Sequence, residues 1–351
     1  MRRLIYTLAA GTLLLAASCK QNTANNTTTE TPKAVEVKDS FALGVVIPSV
    51  QSKMDAAQSY ALYLPQNYTD TSTLPVIIFF DPHGDGTVPL NLYAQLAEKN
   101  GYILMGSNIS KNGMPLQQAQ YAADNLVNEA TSRFKVNQRK ITMCGFSGGA
   151  KVALASAAAN KSVTSVVYCG AALPVTPSHT LEFVGFAGTR DMNYTDVVVF
   201  NNSLKGTQHI HYLVEWNGRH EFPVAEVFSD AFDFLKTGNI TNYANKQAGI
   251  SPQKLDEEQA QKQALLQAFQ TQDINWWKQN IALLNSKKKT DPMYERLMGF
   301  VSLACYSYSN QLLQQNNLPA AEKILAIYAL ADPGNKDCEA FTAELKKRKG
   351  N

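Results

Sequence analysis

Ile141-Thr142-Met143-Cys144-Gly145-Phe146-Ser147-Gly148-Gly149-Ala150 is the stretch on which the fold of this chain turns. Residues 141–144 are apolar or β-branched, as in a buried strand, and an Ala-rich run over 150–159 follows as a helix. Only five residues join the two, and three of them are glycine. A serine at the tip of so tight a strand-to-helix turn is pushed into strained backbone geometry with its hydroxyl exposed. Glycines are needed on either side because side chains there would collide with the adjoining strand and helix.

The same alternation extends outward from this turn. Gln58-Ser59-Tyr60-Ala61-Leu62-Tyr63-Leu64-Pro65 alternates polar and apolar residues like a half-exposed strand. Residues 74–80, Leu-Pro-Val-Ile-Ile-Phe-Phe, form a continuous apolar run, the profile of a strand buried on both faces. Further strands are expected at 101–106, 163–169, 183–187 and 209–216, with helices at 92–99, 116–134, 197–204 and 224–235. Strands alternating with helices predict a doubly wound, mostly parallel sheet covered on both faces. In such sheets ligands bind beyond the carboxyl ends of the strands, so the residues just after each strand matter most.

After Gly238 the pattern changes to helices alone, at 252–269, 274–284, 293–314, 320–331 and 337–347. The chain is therefore read as an α/β domain over 39–238 followed by an all-α region over 239–351. Residues 320–335 resemble the second helix of a tetratricopeptide repeat and its closing turn, although repeat arrays usually need three or more units. Two readings of this region stand side by side: a surface for a protein partner, or a helical appendage packed against the α/β domain.

The N-terminus carries a different message. Arg2 and Arg3 precede a mostly small and apolar run over 4–17, too short for a comfortable permanent span, and read as a removable signal over residues 1–18. Leu15-Ala16-Ala17-Ser18-Cys19 resembles a bacterial lipobox, which implies acylation of Cys19 as the mature N-terminus and attachment to the cell envelope, at the outer membrane or a periplasmic face. Residues 19–38 are rich in Asn, Thr, Gln and Glu and have little to bury, so they are expected to serve as a disordered tether.

The chain's net charge is +3, and the basic run Lys346-Lys347-Arg348-Lys349 near the end reads as a solvated helix end and gives no basis for nucleic-acid binding. Cys144, Cys169, Cys305 and Cys338 match no zinc spacing, and no metal site is expected.

Gly145 to Gly149 spells G-x-S-x-G, which makes Ser147 the candidate nucleophile. A serine hydroxyl needs a base. Of the five histidines, His209 and His211 fall within a strand, His179 precedes one, and His83 is expected to brace its loop. His220, in the loop after the last strand, stands where a base is required. The base in turn needs a carboxylate to fix its tautomer. Asp191 follows the strand at 183–187 directly; Asp196, the rival, is expected to cap the next helix. An oxyanion needs backbone N–H donors, one from Gly148 and another from Asp81-Pro82-His83-Gly84-Asp85-Gly86, with Gly84 chosen and His83 and Asp85 as alternatives.

With those pieces assembled, residues 41–235 resemble the α/β-hydrolase superfamily, nearest in style to feruloyl-esterase-like and polyhydroxyalkanoate-depolymerase-like enzymes. The matching parts are residues 60–65, the His83-Gly84 loop, the Ser147 turn, Asp191 and His220. The resemblance implies acyl transfer to water through an acyl-enzyme, with no metal or cofactor. The sequence departs from that pattern at Asp85, where small residues are usual. About a dozen residues separate Cys169 from the next strand, too few for a helical lid. The expected substrate is a small-molecule or polymer-linked ester of a short acyl group, for instance on a carbohydrate. A peptidase of the same fold and a non-catalytic binding lipoprotein are the alternatives.

Overall fold

The computed structural model describes residues 40–238 and 249–350. The expected signal, the tether and Cys19 lie outside the described residues, and so does 239–248, where the boundary between the two regions was placed.

Eight strands form one sheet in the order β1-β2-β4-β3-β5-β6-β7-β8. They are β1 Val46–Gln51, β2 Ser59–Tyr63, β3 Leu74–Phe80, β4 Ile103–Ser107, β5 Val136–Phe146, β6 Ser165–Cys169, β7 Glu182–Gly188 and β8 Ile210–Trp216. β2 runs antiparallel to both β1 and β4, and all the remaining pairs are parallel. β1 is the strand that no alternation in the sequence announced. It is a half-exposed edge containing Pro48, and its register shifts between Ile47 and Val50, which breaks the period-two pattern.

β3 shows why the middle of the sheet reads as unbroken hydrophobicity. Ile77 and Phe79 pack on one face with α1 (Thr87–Asn100) and α5 (Ala225–Thr237). Val76, Ile78 and Phe80 pack on the other with α2 (Leu116–Arg133), α3 (Gly148–Ala159) and α4 (Tyr194–Ser203). Both faces are thus removed from water, so neither can afford polar residues. Cys144 and Cys169 are free thiols within this core, and burial pushes the Cys144 thiol well above its ordinary range.

Among the described residues five helices follow: α6 Pro252–Thr271, α7 Ile274–Lys287, α8 Pro292–Gln314, α9 Leu318–Ala331 and α10 Lys336–Lys349. Each is opened by a side chain that accepts a hydrogen bond from the first turn: Ser251, Asp273, Asp291, Asn317 and Asn335 in order. Their apolar faces close on a core of their own around Trp277, Leu297, Val301 and Tyr328. Packing extends to the sheet domain as well, where Gly299 of α8 lies against Met192. No described helix is long and apolar enough to cross a membrane.

The β1–β2 edge is tied to α2 through one buried carboxylate. Glu129 accepts from Arg133 at 2.7 Å, Tyr60 at 3.0 Å, Ser52 at 3.1 Å and the Lys53 and Met54 amides at 2.9 and 3.2 Å. Burial acts to raise its pKa, but the bonds from Arg133, Tyr60, Lys53 and Ser52 outweigh it and hold the carboxyl below its ordinary value of 4.5. A lowered folded pKa means that the stabilisation is complete above that value and is lost as pH falls through the folded one. Glu129→Gln should therefore cost about 3 kcal/mol in urea unfolding at pH 7, because it removes the charge that pairs with Arg133, whose side chain is 10% exposed. The gap from wild type should narrow as pH falls below 4.5 and the native carboxylate is itself protonated. A gap that is constant with pH would contradict this account.

Candidate active site

β5 delivers Ser147 at its carboxyl end, and the turn is as strained as its composition suggested. Ser147 has φ 53°, one of three non-glycine residues with positive φ among those described. Such a conformation costs about 1–3 kcal/mol and persists only where the surroundings enforce it. Here the Ser147 amide donates to Cys169 O at 2.9 Å, and the Ser147 carbonyl receives the Ala150 amide at 3.1 Å as α3 begins. A Cβ on Gly145 would lie 2.1 Å from Gly149 O, and one on Gly149 would lie 2.0 Å from Phe80 O. Both positions exclude any side chain.

Asp191 and His220 arrive from the next loops along the same edge of the sheet. Beyond β7, the Asp191 amide closes a turn on Gly188 O at 2.9 Å, and its side chain is 1% exposed. Oδ1 of Asp191 accepts the Asn193 amide at 2.8 Å. Beyond β8, the loop bearing His220 is stitched to this turn, with Thr189 N donating to Trp216 O at 2.8 Å and Arg190 N to Gly218 O at 3.0 Å. His220 Nδ1 stands 2.9 Å from Asp191 Oδ1, and its Nε2 stands 2.9 Å from Ser147 Oγ. With the Nδ1 proton directed at the carboxylate, Nε2 is left as acceptor for the serine proton. The Phe146 ring packs against the His220 imidazole, 4.7 Å between centroids. Thus the structure brings Ser147, His220 and Asp191 into one hydrogen-bonded chain.

The other candidates lie elsewhere. His179 Nε2 bonds Val163 O at 2.9 Å, His209 Nδ1 accepts the Leu181 amide at 3.2 Å, and His211 Nδ1 meets Asn201 Oδ1 at 3.2 Å. The His83 side chain is exposed, with Nδ1 3.4 Å from Asp81 Oδ1. Asp196 does not cap α4, contrary to expectation: the N-cap position belongs to Asn193, and Asp196 lies within the first turn with its carboxylate largely in solvent.

The expected oxyanion donors divide in the same way. Gly148 opens α3, where amides have no carbonyl one turn earlier to satisfy them. The helix dipole adds positive potential at that end. The Gly84 amide is already engaged within its own loop. Its amide closes on Asp81 O at 3.1 Å, and its open side faces Ser110 and Lys111. Its alternatives are engaged too, since the His83 and Asp85 amides both donate to Asp81 Oδ1, at 2.8 and 3.4 Å. Asp81 organises this loop, a role no motif signalled.

Asn112 is the neighbour that sequence reasoning missed. Its amide donates to Pro82 O at 2.8 Å, and its carboxamide oxygen lies where a Cβ on Gly148 would stand, 1.8 Å from that position. Beside it opens a cleft of about 220 Å³ whose wall includes Met114, Val152, Leu173 and Lys151. Residues 170–181, between β6 and β7, contain no helix and contribute Leu173 to the cleft wall. Among the described residues no group of side chains is arranged to hold a metal ion.

This strand order, with the serine after β5, the acid after β7 and the histidine after β8, is the α/β-hydrolase fold. No protein-family model matches the chain, and no curated protein matches it. Among solved structures it is similar to an esterase of Pyrobaculum calidifontis (13% identity, 57% of this chain and 88% of that one, TM-score 0.45). It is also similar to native esterase 2 of Thermogutta terrifontis (16% identity, 58% and 95%, TM-score 0.45). A fungal esterase of Rhizomucor miehei is another such structure (16% identity, 56% and 84%, TM-score 0.44).

Proposed function

We propose that the chain is a serine hydrolase that cleaves carboxylic esters of short acyl groups, with Ser147 as nucleophile, His220 as general base and acid, and Asp191 as the orienting carboxylate. The observation that carries this reading is the unbroken hydrogen-bonded chain from Ser147 Oγ through His220 to Asp191, anchored on a strained turn. Nothing in sheet packing requires such a chain. A serine held at positive φ next to an acceptor nitrogen is strain placed where nucleophilic chemistry would use it.

In this mechanism Oγ attacks the ester carbonyl carbon while His220 Nε2 takes its proton. Asp191 stabilises the imidazolium through Nδ1–H without itself becoming protonated. Charge gathering on the carbonyl oxygen is met by the Gly148 amide at the start of α3. As the tetrahedral intermediate collapses, the C–O bond to the alcohol breaks and His220 returns the proton to the departing oxygen. Water, deprotonated by His220, then attacks the acyl-enzyme, releasing the acid and restoring Ser147.

The alcohol must leave beside His220, so the acyl group is directed to the opposite side, toward Gly148 and the cleft. A cleft of about 220 Å³ with Met114, Val152 and Leu173 in its wall suits a short acyl group. The absence of helix over residues 170–181 suits a bulky or polymer-linked alcohol, such as a carbohydrate. The lipobox-like Leu15 to Cys19 supports attachment of this body to the bacterial envelope by lipid on Cys19.

Hydrolysis of p-nitrophenyl acetate and butyrate should exceed that of the palmitate by more than about tenfold in kcat/KM, because the cleft cannot cover a long chain. Ser147→Ala should lower kcat by at least about 10³-fold, and Asp191→Asn by about 10⁴-fold through the wrong tautomer. A preference for palmitate would contradict the substrate reading, and full activity in Ser147→Ala would contradict the mechanism. Cys19→Ser should shift the expressed protein from the membrane to the soluble fraction; unchanged membrane association would contradict the anchor.

A further inference from the structure

We propose that α6 and α8 of the C-terminal helical region are the positioning frame of the active site, with Glu295, Arg296 and Lys262 holding the two loops that carry Asp191 and His220. This rests on the reading of Ser147, His220 and Asp191 given above, and assigns to the helices a part in the same reaction.

The loop carrying Asp191 is held from two sides. Its amides, at Thr189, Arg190 and Asp191, donate back to carbonyls of the sheet domain. Two of its carbonyls face the helices. Arg296 Nη1 of α8 donates to Thr189 O at 2.6 Å, and Lys262 Nζ of α6 donates to Met192 O at 2.7 Å, so the residues bracketing Asp191 are both gripped by cations. Lys262 also donates to Thr195 Oγ1 at 2.7 Å, at the start of α4. The Cα of Gly299 on α8 lets Met192 approach closely, since a Cβ there would stand 3.3 Å from Met192 Cβ.

The aim of Arg296 is itself fixed. Its Nε donates to both carboxylate oxygens of Glu258 on α6, at 3.0 and 3.1 Å, and its guanidinium lies over the Tyr194 ring, 4.7 Å from the centroid. Glu258 is fully buried and Arg296 nearly so. A buried ion pair is weak evidence for stability, since apolar residues of similar volume often do as well. What the rigid, planar fork supplies is direction: one edge is locked on Glu258 and the remaining N–H is aimed at Thr189 O. Lysine cannot reproduce that geometry.

Glu295, the residue beside Arg296, joins the second loop to the first. Its Oε1 accepts from Arg219 Nε at 2.8 Å, and its Oε2 stands 3.6 Å from Arg190 Nε. Arg219 and Arg190 immediately precede His220 and Asp191. One carboxylate on α8 thereby spans the loop of the base and the loop of the acid, whose side chains must meet at 2.9 Å. Misplacement by about 1 Å can cost on the order of 10² in rate, so a frame of this kind acts on kcat without touching substrate.

The test uses the full chain with p-nitrophenyl acetate, measuring kcat and KM separately alongside thermal melting by circular dichroism. Arg296→Lys keeps the charge opposite Glu258 and loses the fork; kcat should fall by about 10-fold to 100-fold with KM within about twofold. Glu295→Ala, at a partly exposed site that leaves folding intact, should lower kcat about threefold to tenfold. In an Arg190→Ala, Arg219→Ala background the same change should add nothing, because the partners through which it acts are gone. If Arg296→Lys fails to fold, the Glu295 cycle decides alone. A kcat for Glu295→Ala within about twofold of wild type, a loss confined to KM, or an equal loss in both backgrounds would overturn the frame while leaving the hydrolase reading intact. A folded wild-type chain inert toward the ester would overturn both.

Discussion

The close approach of β5, α3 and β3 around Ser147 is the constraint on which the rest of the sheet domain depends. Gly149 lies against Phe80 O, and Gly145 lies against Gly149 O, at separations that admit hydrogen and nothing larger. The serine between them is forced to φ 53°. A single turn cannot hold that conformation by itself. It is held because β3 and β5 are neighbours buried on both faces, and because the Ser147 amide is anchored to Cys169 O at the end of β6. The apolar content of 74–80, 141–146 and 165–169 therefore has a second consequence beyond core formation: it fixes the backbone that presents one hydroxyl. The strain, about 1–3 kcal/mol, is small beside the burial that enforces it.

Most of this architecture was legible because its causes are local. Unbroken apolar strands, an Ala-rich helix and glycines at a forced turn state their own geometry. The loop positions of Asp191 and His220 follow from strand ends, which is why both could be singled out from a single chain. What was hidden depends on contacts that no spacing encodes. β1 carries a proline and a register shift, so its alternation is erased. Gly84 looked available as an oxyanion donor, but Asp81, a buried carboxylate, draws in the His83 and Asp85 amides while its carbonyl takes that of Gly84. Asn112 comes from a loop distant in sequence and reaches Gly148 because β3 lies between β4 and β5 in the sheet.

The helical region illustrates the same limit on a larger scale. In sequence, Glu258, Lys262, Glu295 and Arg296 look like the charged face that any amphipathic helix turns to water. In the structure Glu258, Lys262 and Arg296 turn inward, toward carbonyls of the sheet domain and toward one another, while Glu295 stays partly exposed between Arg190 and Arg219. Burial lowers the Lys262 pKa, opposed by the nearby Asp196 and Glu258 carboxylates, as expected of a cation drawn out of solvent. These contacts pack the helices against the α/β domain, as one of the two readings of this region has it.

The most direct test of the central claim is covalent: incubate the folded protein with a fluorophosphonate and locate the adduct by mass spectrometry. A serine made nucleophilic by His220 should carry the phosphonyl group at Ser147, with labelling absent in Ser147→Ala and slowed in His220→Ala. Absence of any adduct on folded protein, or labelling at Ser147 that proceeds equally fast without His220, would contradict the account.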